Sequence, residues 1–191
     1  MDLIFATHNP NKVSEVQKQL GEPYKILTLT DLNYQTEIPE PFETLEENAL
    51  NKANIISETF KKTCFSDDTG LFVPSLGGAP GVYSARYAGP KASAEDNTEK
   101  LLAALDENKD RRAYFKTIIS LKTLESSYFF EGVVWGVIAE NPKGTGGFGY
   151  DPVFIPNGYQ QSFGELSPNI KQNIGHRGKA ITALTNFLKG L

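Results

Sequence analysis

The chain has 191 residues, 39% of them hydrophobic and 22% charged, as expected for a globular protein with one or two small domains. Its net charge of −4 argues against DNA or RNA as a partner, because nucleic-acid-binding surfaces carry an excess of Lys and Arg. The single cysteine, Cys64, excludes an intramolecular disulfide, and two histidines do not favour a His-rich zinc site. No segment is apolar enough to span a membrane and no basic leader is present, so we expect a cytoplasmic protein without a membrane partner.

The amino-terminal segment predicts a strand, a polar loop and a helix. Residues 3–6 are apolar and predict a buried strand. Asn9 before Pro10 is a typical helix start and Gly21 a typical helix end, so a first helix is expected between them. Residues 24–29 predict a second strand.

A loop is predicted at residues 31–42, which contain two prolines. Thr44 and Glu47 form a capping-box sequence for a following helix with one apolar stripe. Asn48 and Lys52 fall on a more polar face of this helix. A further strand at 63–66 is expected to end at Asp67-Asp68-Thr69-Gly70, with residues 71–73 also extended.

The second half of the chain has a different pattern. Its predicted elements are an irregular loop at 77–81, a helix at 94–105, two strands at 113–124 and 128–139 that form an antiparallel hairpin, a Gly-rich loop at 144–152, a short strand at 153–155 and a helix at 179–188. Strand–helix units combined with a long hairpin predict an α/β fold with a mixed sheet.

The polar loop at residues 7–12 is a candidate phosphate site. Exposed amides and the helix dipole favour an anion at a helix start, and Lys12 adds a positive charge. The segment lacks the Gly-x-x-x-x-Gly-Lys pattern of a P-loop, and a capped helix with a surface lysine explains it as well.

Acidic residues form a second candidate group. They are Glu40, Glu43, Glu46, Glu47, Asp67 and Asp68. Asp67 and Asp68 follow an apolar strand, where carboxylates are unfavourable unless paired or bound to metal, and Mg²⁺ binds carboxylates together with substrate phosphates. Neighbouring residues of an extended chain point in opposite directions, so the two aspartates cannot serve one ion equally well. A simple turn is the alternative.

Two further segments carry candidate ligand contacts. In residues 146–151, glycines allow close approach to the backbone, Phe148 and Tyr150 are candidates to stack on a base, and Asp151 to hydrogen-bond with it. The cations Lys171, Arg177 and Lys179 surround His176 near a helix start, where they oppose the dipole unless they face an anion. Buried aromatics in a loop and a solvated basic cluster are the respective alternatives.

Taken together and in order, these segments resemble the inosine-triphosphatase family of noncanonical purine nucleoside-triphosphate pyrophosphatases. The resemblance runs from residue 4 to residue 180. Its strongest stretches are Glu47-Asn48-Ala49 with Lys52-Ala53, Asp67-Asp68-Thr69-Gly70-Leu71, residues 77–89, and residues 144–152. It implies a single domain, 1–191, with an elongated mixed sheet, flanking helices and two lobes around a nucleotide cleft. It also implies a homodimer and hydrolysis of ITP, dITP and XTP to monophosphate and pyrophosphate.

The resemblance also assigns roles to individual residues. Glu40 and Asp68 correspond to magnesium ligands, and Asp68 to the general base. The implied substrate contacts are the phosphate loop Thr7, His8, Asn9, Pro10, Asn11 and Lys12; Lys52 and Thr69 beside the phosphates; the base pocket Phe148, Gly149, Tyr150 and Asp151; and Lys171, His176 and Arg177.

The chain departs from the family pattern at two places. Gly175 replaces a common serine, which is expected to loosen purine discrimination. Pro39-Glu40-Pro41-Phe42-Glu43 replaces the usual Glu-Thr-Gly, so Glu43 competes with Glu40 for the ligand assignment. A pyrophosphatase for other modified nucleotides and a nucleotide sensor without turnover remain alternative functions.

Overall fold

The structure, a computed structural model, describes residues 2–21, 23–105 and 110–190. The strands within these ranges are β1 (Asp2–Phe5), β2 (Lys25–Thr28), β3 (Cys64–Phe72), β4 (Pro80–Gly81), β5 (Arg112–Lys122), β6 (Ser127–Ile138) and β7 (Phe154–Pro156). The helices are α1 (Pro10–Leu20), α2 (Leu45–Phe60), α3 (Ala94–Ala104), α4 (Pro168–Ile174) and α5 (His176–Lys189). No helix among the described residues combines the length and apolar character needed to cross a membrane.

The strands form a mixed sheet in the order β2-β1-β3-β5-β6-β7, with β4 paired to β3. β1 is parallel to β2 and β3, whereas β4 is antiparallel to β3 and β7 is antiparallel to β6. The predicted α/β class with a mixed sheet and flanking helices is confirmed. β1 ends at Phe5, which pairs with Phe65, so the polar loop after β1 begins where β3 continues into Asp67 and Asp68.

The chain divides into two compact units. Unit 1 comprises Met1–Asp68, Thr117–Gly132 and Arg177–Leu191, and unit 2 comprises Thr69–Lys116 and Val133–His176. In unit 1, Phe5 and Phe65 stack with ring centroids 4.6 Å apart, in a core that includes Ile181 and Leu184 of α5. In unit 2, Phe115, Phe154 and Phe163 pack together in a separate core.

Local signals explain the helix starts. Asn9 caps α1 through its side-chain oxygen, which accepts the N–H groups of Asn11 and Lys12. Thr44 caps α2 by accepting the N–H of Glu47, and its hydroxyl donates to the Glu47 carboxylate. These two starts agree with the predicted ones.

Several elements differ from the predictions. β3 does not end before Asp67 but continues through both aspartates to Phe72, so the turn interpretation is wrong. The short helix α4, capped by Ser167, was not predicted, and α5 begins three residues earlier than expected, at His176. The face of α2 that carries Asn48 and Lys52 is buried, although its residues are polar.

Candidate active site

Asp67 lies in a buried network of opposite charges within unit 1. Its carboxylate accepts hydrogen bonds from Lys12 Nζ at 2.9 Å and from Arg177 Nε at 3.0 Å. Burial alone would raise the pKa of Asp67, but the charges of Lys12 and Arg177 outweigh it and hold the pKa well below its ordinary value. Helices α1 and α5 thus place two cations, distant in sequence, beside one carboxylate of strand β3.

Sequence reasoning missed Glu15 as a partner of Arg177. Arg177 Nη1 donates to Glu15 Oε2 at 2.6 Å, so the guanidinium is held by two carboxylates, those of Glu15 and Asp67. Burial lowers the pKa of Arg177, but Asp67 and Glu15 more than offset this, so the pKa lies above its ordinary value. Glu15 lies one turn after Lys12 on α1, and this helical spacing is the signal that would have found it.

A second group of charges meets at Lys52. Its ammonium donates to Glu40 Oε1 and, at 3.5 Å, to Asp68 Oδ1. Burial lowers the pKa of Lys52, but the carboxylates of Asp68 and Glu40 raise it above its ordinary value. The structure therefore brings together the predicted residues Glu40, Lys52 and Asp68. Of the two glutamates considered as metal ligands, Glu40 is the one that contacts Lys52.

Asp67 and Asp68 have different surroundings although they are adjacent. Successive side chains of a strand point to opposite faces, and the first aspartate meets Lys12 while the second meets Lys52. Asp68 Oδ2 is buried and has no hydrogen-bond partner among the described residues. Burial raises the pKa of Asp68, only partly opposed by Lys52, so its carboxylate is the less stabilised of the two.

The donor set around Asp68 fits a hard divalent cation shared with a substrate. Within the described part of the chain, no group of three His, Cys, Asp or Glu side chains forms a complete metal site. Two carboxylates nevertheless converge on Lys52, and one of them has a buried oxygen without a partner among the residues that the structure describes. This pair suits Mg²⁺, which takes one or two carboxylates and completes its shell with water and phosphate oxygens.

The loop before α1 is organised by hydrogen bonds of its own. Thr7 Oγ1 accepts the N–H of Asn9, and a ring nitrogen of the exposed His8 lies 3.0 Å from the Thr36 carbonyl. Pro10 and Asn11 begin α1 and are exposed. The amides of residues 11 and 12 already donate to Asn9. Phosphate binding by this loop stays a prediction.

In unit 2 the candidate base-binding residues form a compact set. Asp151 Oδ2 accepts the Phe148 N–H at 2.7 Å and Lys171 Nζ at 2.7 Å. The Lys171 ammonium lies 4.7 Å from the centre of the Phe148 ring. The buried carboxylate of Asp151 therefore fixes the backbone of Phe148 and the ammonium of Lys171 over its ring. Phe148 and Lys171, both predicted to contact the nucleotide, are thus held by the same side chain.

Two other predicted residues of unit 2, Tyr150 and His176, are packed into its core. Tyr150 is buried in the core and its hydroxyl donates to the Ser84 carbonyl at 2.7 Å, so its ring is not placed as a stacking surface. His176 is buried and stacks on Phe115 with centroids 4.7 Å apart. Thr69 and Gly149 are half-buried.

Gly175 ends α4 in close contact with the helix. Its N–H donates to the Lys171 carbonyl at 2.8 Å, and an added Cβ would lie 2.5 Å from that same oxygen. A serine at this position would require a shift of the backbone. The departure from the family pattern is therefore coupled to the end of the helix that carries Lys171.

A buried lysine next to a buried carboxylate whose second oxygen has no partner in the described part of the chain, on an α/β sheet, is typical of an enzyme site for an anionic substrate. Residues 3–187 match the Ham1 family, and the chain belongs to that family. A dITP/XTP pyrophosphatase of Flavobacterium johnsoniae is 48% identical over 98% of both chains. Among solved structures, the Ham1 protein of Staphylococcus aureus has a TM-score of 0.91 and 38% identity over 100% of this chain and 99% of its own. A HAM1 protein of Coxiella burnetii has a TM-score of 0.92 and 34% identity over 100% of both chains. The family resemblance predicted from the motifs is confirmed.

Proposed function

We propose that this chain hydrolyses dITP, XTP and ITP to the nucleoside monophosphate and pyrophosphate, and so removes noncanonical purines from the nucleotide pool. Membership of the Ham1 family, whose relatives include dITP/XTP pyrophosphatases, supports the reaction. The observation that carries the proposal is the buried carboxylate of Asp68 beside Lys52, which Glu40 also contacts; its Oδ2 has no hydrogen-bond partner among the described residues. This arrangement provides an acceptor for a proton next to groups that attract phosphate and metal.

Glu40 and Asp68 would hold a Mg²⁺ ion. When bound, this ion would offset negative charge on the triphosphate. Asp68 orients a water molecule and accepts its proton as the water oxygen bonds to the α-phosphorus. The bond from the α-phosphorus to the bridging oxygen breaks, and pyrophosphate leaves. Lys12, Lys52 and Arg177 stabilise the charge that develops on the leaving group.

The proposal assigns the base contacts to Phe148 and Lys171. The Phe148 ring can stack on a purine, and the Lys171 ammonium, which lies 4.7 Å over the centre of that ring, carries N–H donors. A 6-keto oxygen accepts from such a donor, whereas the 6-amino group of adenine leaves it unpaired, which costs about 1–3 kcal/mol for a buried group. The contact of Lys171 with Asp151 keeps this donor in place. The proposal therefore predicts selection against ATP.

The proposal includes a homodimer acting in the cytoplasm, where the nucleotide pool is found. Light scattering after gel filtration tests the first part, with an expected mass of twice the 21.0 kDa of one chain.

Pyrophosphate release tests the reaction. The substrates are ITP, XTP, dITP, GTP and ATP, each with Mg²⁺ and with EDTA. Mg²⁺-dependent release of pyrophosphate and monophosphate from ITP, XTP and dITP, with much slower turnover of ATP and GTP, is the expected result. Inorganic phosphate as the product would contradict attack at the α-phosphorus. Turnover of other modified nucleotides alone would favour a different pyrophosphatase, and absence of all turnover would favour a sensor.

A further inference from the structure

The segment that carries Glu40 has no helix or strand of its own, yet it is fixed on both sides by α2. After Glu40, the buried Asn48 makes two backbone bonds: its Oδ1 accepts the Phe42 N–H and its Nδ2 donates to the Phe42 carbonyl, each at 3.0 Å. Before Glu40, Asn51 Nδ2 donates to the Pro39 carbonyl at 2.9 Å. Glu40 thus lies between two backbone positions that are held by the side-chain amides of one helix.

The same helix carries the cation that Glu40 meets. Asn48, Asn51 and Lys52 are three and four residues apart, so they lie on one face of α2. Helix α2 is in turn tied to β3, because Ser66 Oγ donates to the Ala49 carbonyl. One rigid helix therefore holds the Glu40 segment, supplies Lys52 and is bonded to the strand of Asp68.

The composition of the segment supports a positioning role. Pro39 and Pro41 flank Glu40, and proline at 41 restricts Glu40 to extended conformations. Pro41 and Phe42 themselves are exposed, so packing around them does not fix the carboxylate. Hydrogen bonds from Asn48 and Asn51 provide the restraint that packing does not.

We infer that Asn48 and Asn51 are positioning residues that hold Glu40 in the orientation needed to bind the divalent cation. The inference rests on the proposed function, in which Glu40 is a metal ligand. Residues that orient metal ligands typically change metal affinity by 10–100-fold when they are removed. Asn51 acts through the backbone beside the ligand, which places its expected effect at the lower end of this range.

Asn51→Ala is the primary test, because Asn51 is only half-buried, whereas Asn48 is fully buried and its loss also affects folding. Isothermal titration calorimetry with Mg²⁺ alone gives the Kd for the wild-type protein and for the variant. We expect Kd for Mg²⁺ to rise about tenfold in N51A. The Mg²⁺ concentration that half-activates ITP hydrolysis should rise by a similar factor, and kcat at saturating Mg²⁺ should change less.

A double-mutant cycle with Glu40→Gln separates positioning from a general loss of stability. If Asn51 acts through Glu40, N51A should weaken Mg²⁺ binding in the wild-type background and have no further effect in the E40Q background. Equal weakening in both backgrounds would overturn the inference.

Asn97 of α3 offers a matched control in unit 2. Its Oδ1 accepts the Ala88 N–H at 2.7 Å and its Nδ2 donates to the Ala85 carbonyl at 3.2 Å, so like Asn48 it makes one accepted and one donated bond with the backbone of the segment before its helix. Both Asn97→Ala and Asn48→Ala should lower Tm, but only N48A should weaken Mg²⁺ binding. Equal Kd values for these two variants would contradict the positioning role.

The outcomes distinguish the inference from the proposed function. A wild-type protein that neither binds Mg²⁺ nor hydrolyses the nucleotides would refute the function, and the positioning role with it. A wild-type protein that does both, with an N51A Kd within twofold of its own, would refute the positioning role alone.

Discussion

The neighbouring aspartates of β3 should respond in opposite ways to the same substitution. Asp67→Asn removes the charge that two cations face, the half-buried Lys12 at 2.9 Å and the buried Arg177 at 3.0 Å. Breaking a buried ion pair costs about 3–5 kcal/mol, and because asparagine still accepts a hydrogen bond we expect about 3 kcal/mol. For a chain of this length that corresponds to a fall in Tm of about 6–12 °C.

Asp68→Asn is the matched comparison. The pKa of Asp68 is raised by burial, and its Oδ2 has no partner among the described residues, so the charged form gains little from the fold. Lys52 keeps its contact with Glu40 when this charge is lost. We expect an unchanged or higher Tm together with a fall in kcat of about 10²–10⁴-fold, the usual contribution of a general base.

Calorimetry and steady-state hydrolysis of ITP on the two variants test this reasoning. A D67N protein with the wild-type Tm would show that the Lys12–Asp67–Arg177 network contributes little to stability. A D68N protein with the wild-type kcat would show that Asp68 is not the base. A large fall in Tm for D68N would mean that its carboxylate is needed for folding, contrary to its raised pKa.

The stability of the D67N variant and that of the wild type, both measured in EDTA, should depend differently on pH in the acid range. Because the folded pKa of Asp67 is lowered, its stabilisation is present above the ordinary pKa of about 3.9 and is lost as the pH falls towards the folded value. The free energy of unfolding of the wild type should therefore fall more steeply below about pH 4 than that of D67N. Equal slopes of the free energy of unfolding against pH in the two proteins would contradict the assignment of the lowered Asp67 pKa to Lys12 and Arg177.

Other variants test the base-binding set and its support. Gly147→Ala should raise KM for ITP about tenfold or more, because φ is +74° and an added Cβ would lie 2.1 Å from Asp151 Oδ2. Gly158→Ala is its control, since φ is +85° there but no atom lies within 4 Å of the added Cβ, so KM should not change; equal KM effects would rule out the clash. Tyr150→Phe should lower Tm by about 2–4 °C, because the Ser84 carbonyl loses a buried donor worth about 1 kcal/mol, and an unchanged Tm would refute that bond.

Local signals made much of the fold predictable. The Asn9-Pro10 pair and Thr44 contain the chemistry of a helix start, and the α1 and α2 boundaries follow from it. The long β-rich runs of the second half likewise became β5 and β6, joined at a turn where the Thr123 N–H donates to the Ser126 carbonyl. In these cases, the interactions that decide the structure lie within a few residues of one another.

The structure differs from the predictions where residues distant in sequence determine the local structure. The continuation of β3 through Asp67 and Asp68 depends on Lys12, Lys52 and Arg177, since without these cations two adjacent buried carboxylates would be unfavourable in a strand. In α2 the polar residues Asn48 and Lys52 are buried because their partners, a loop backbone and two carboxylates, come from elsewhere in the chain.

The candidate site shows how one adjacent pair of identical residues acquires two chemical environments. Strand alternation sends Asp67 towards the cations of α1 and α5 and Asp68 towards Lys52 of α2. The first carboxylate is fully compensated and stabilises the fold, while it also fixes the two cations. The second shares one lysine with Glu40, and one of its oxygens has no partner within the described ranges, so its charge is available to a ligand. A carboxylate that the protein leaves under-compensated is less favourable for stability, and it is the group best suited to take a proton or bind a cation when substrate arrives.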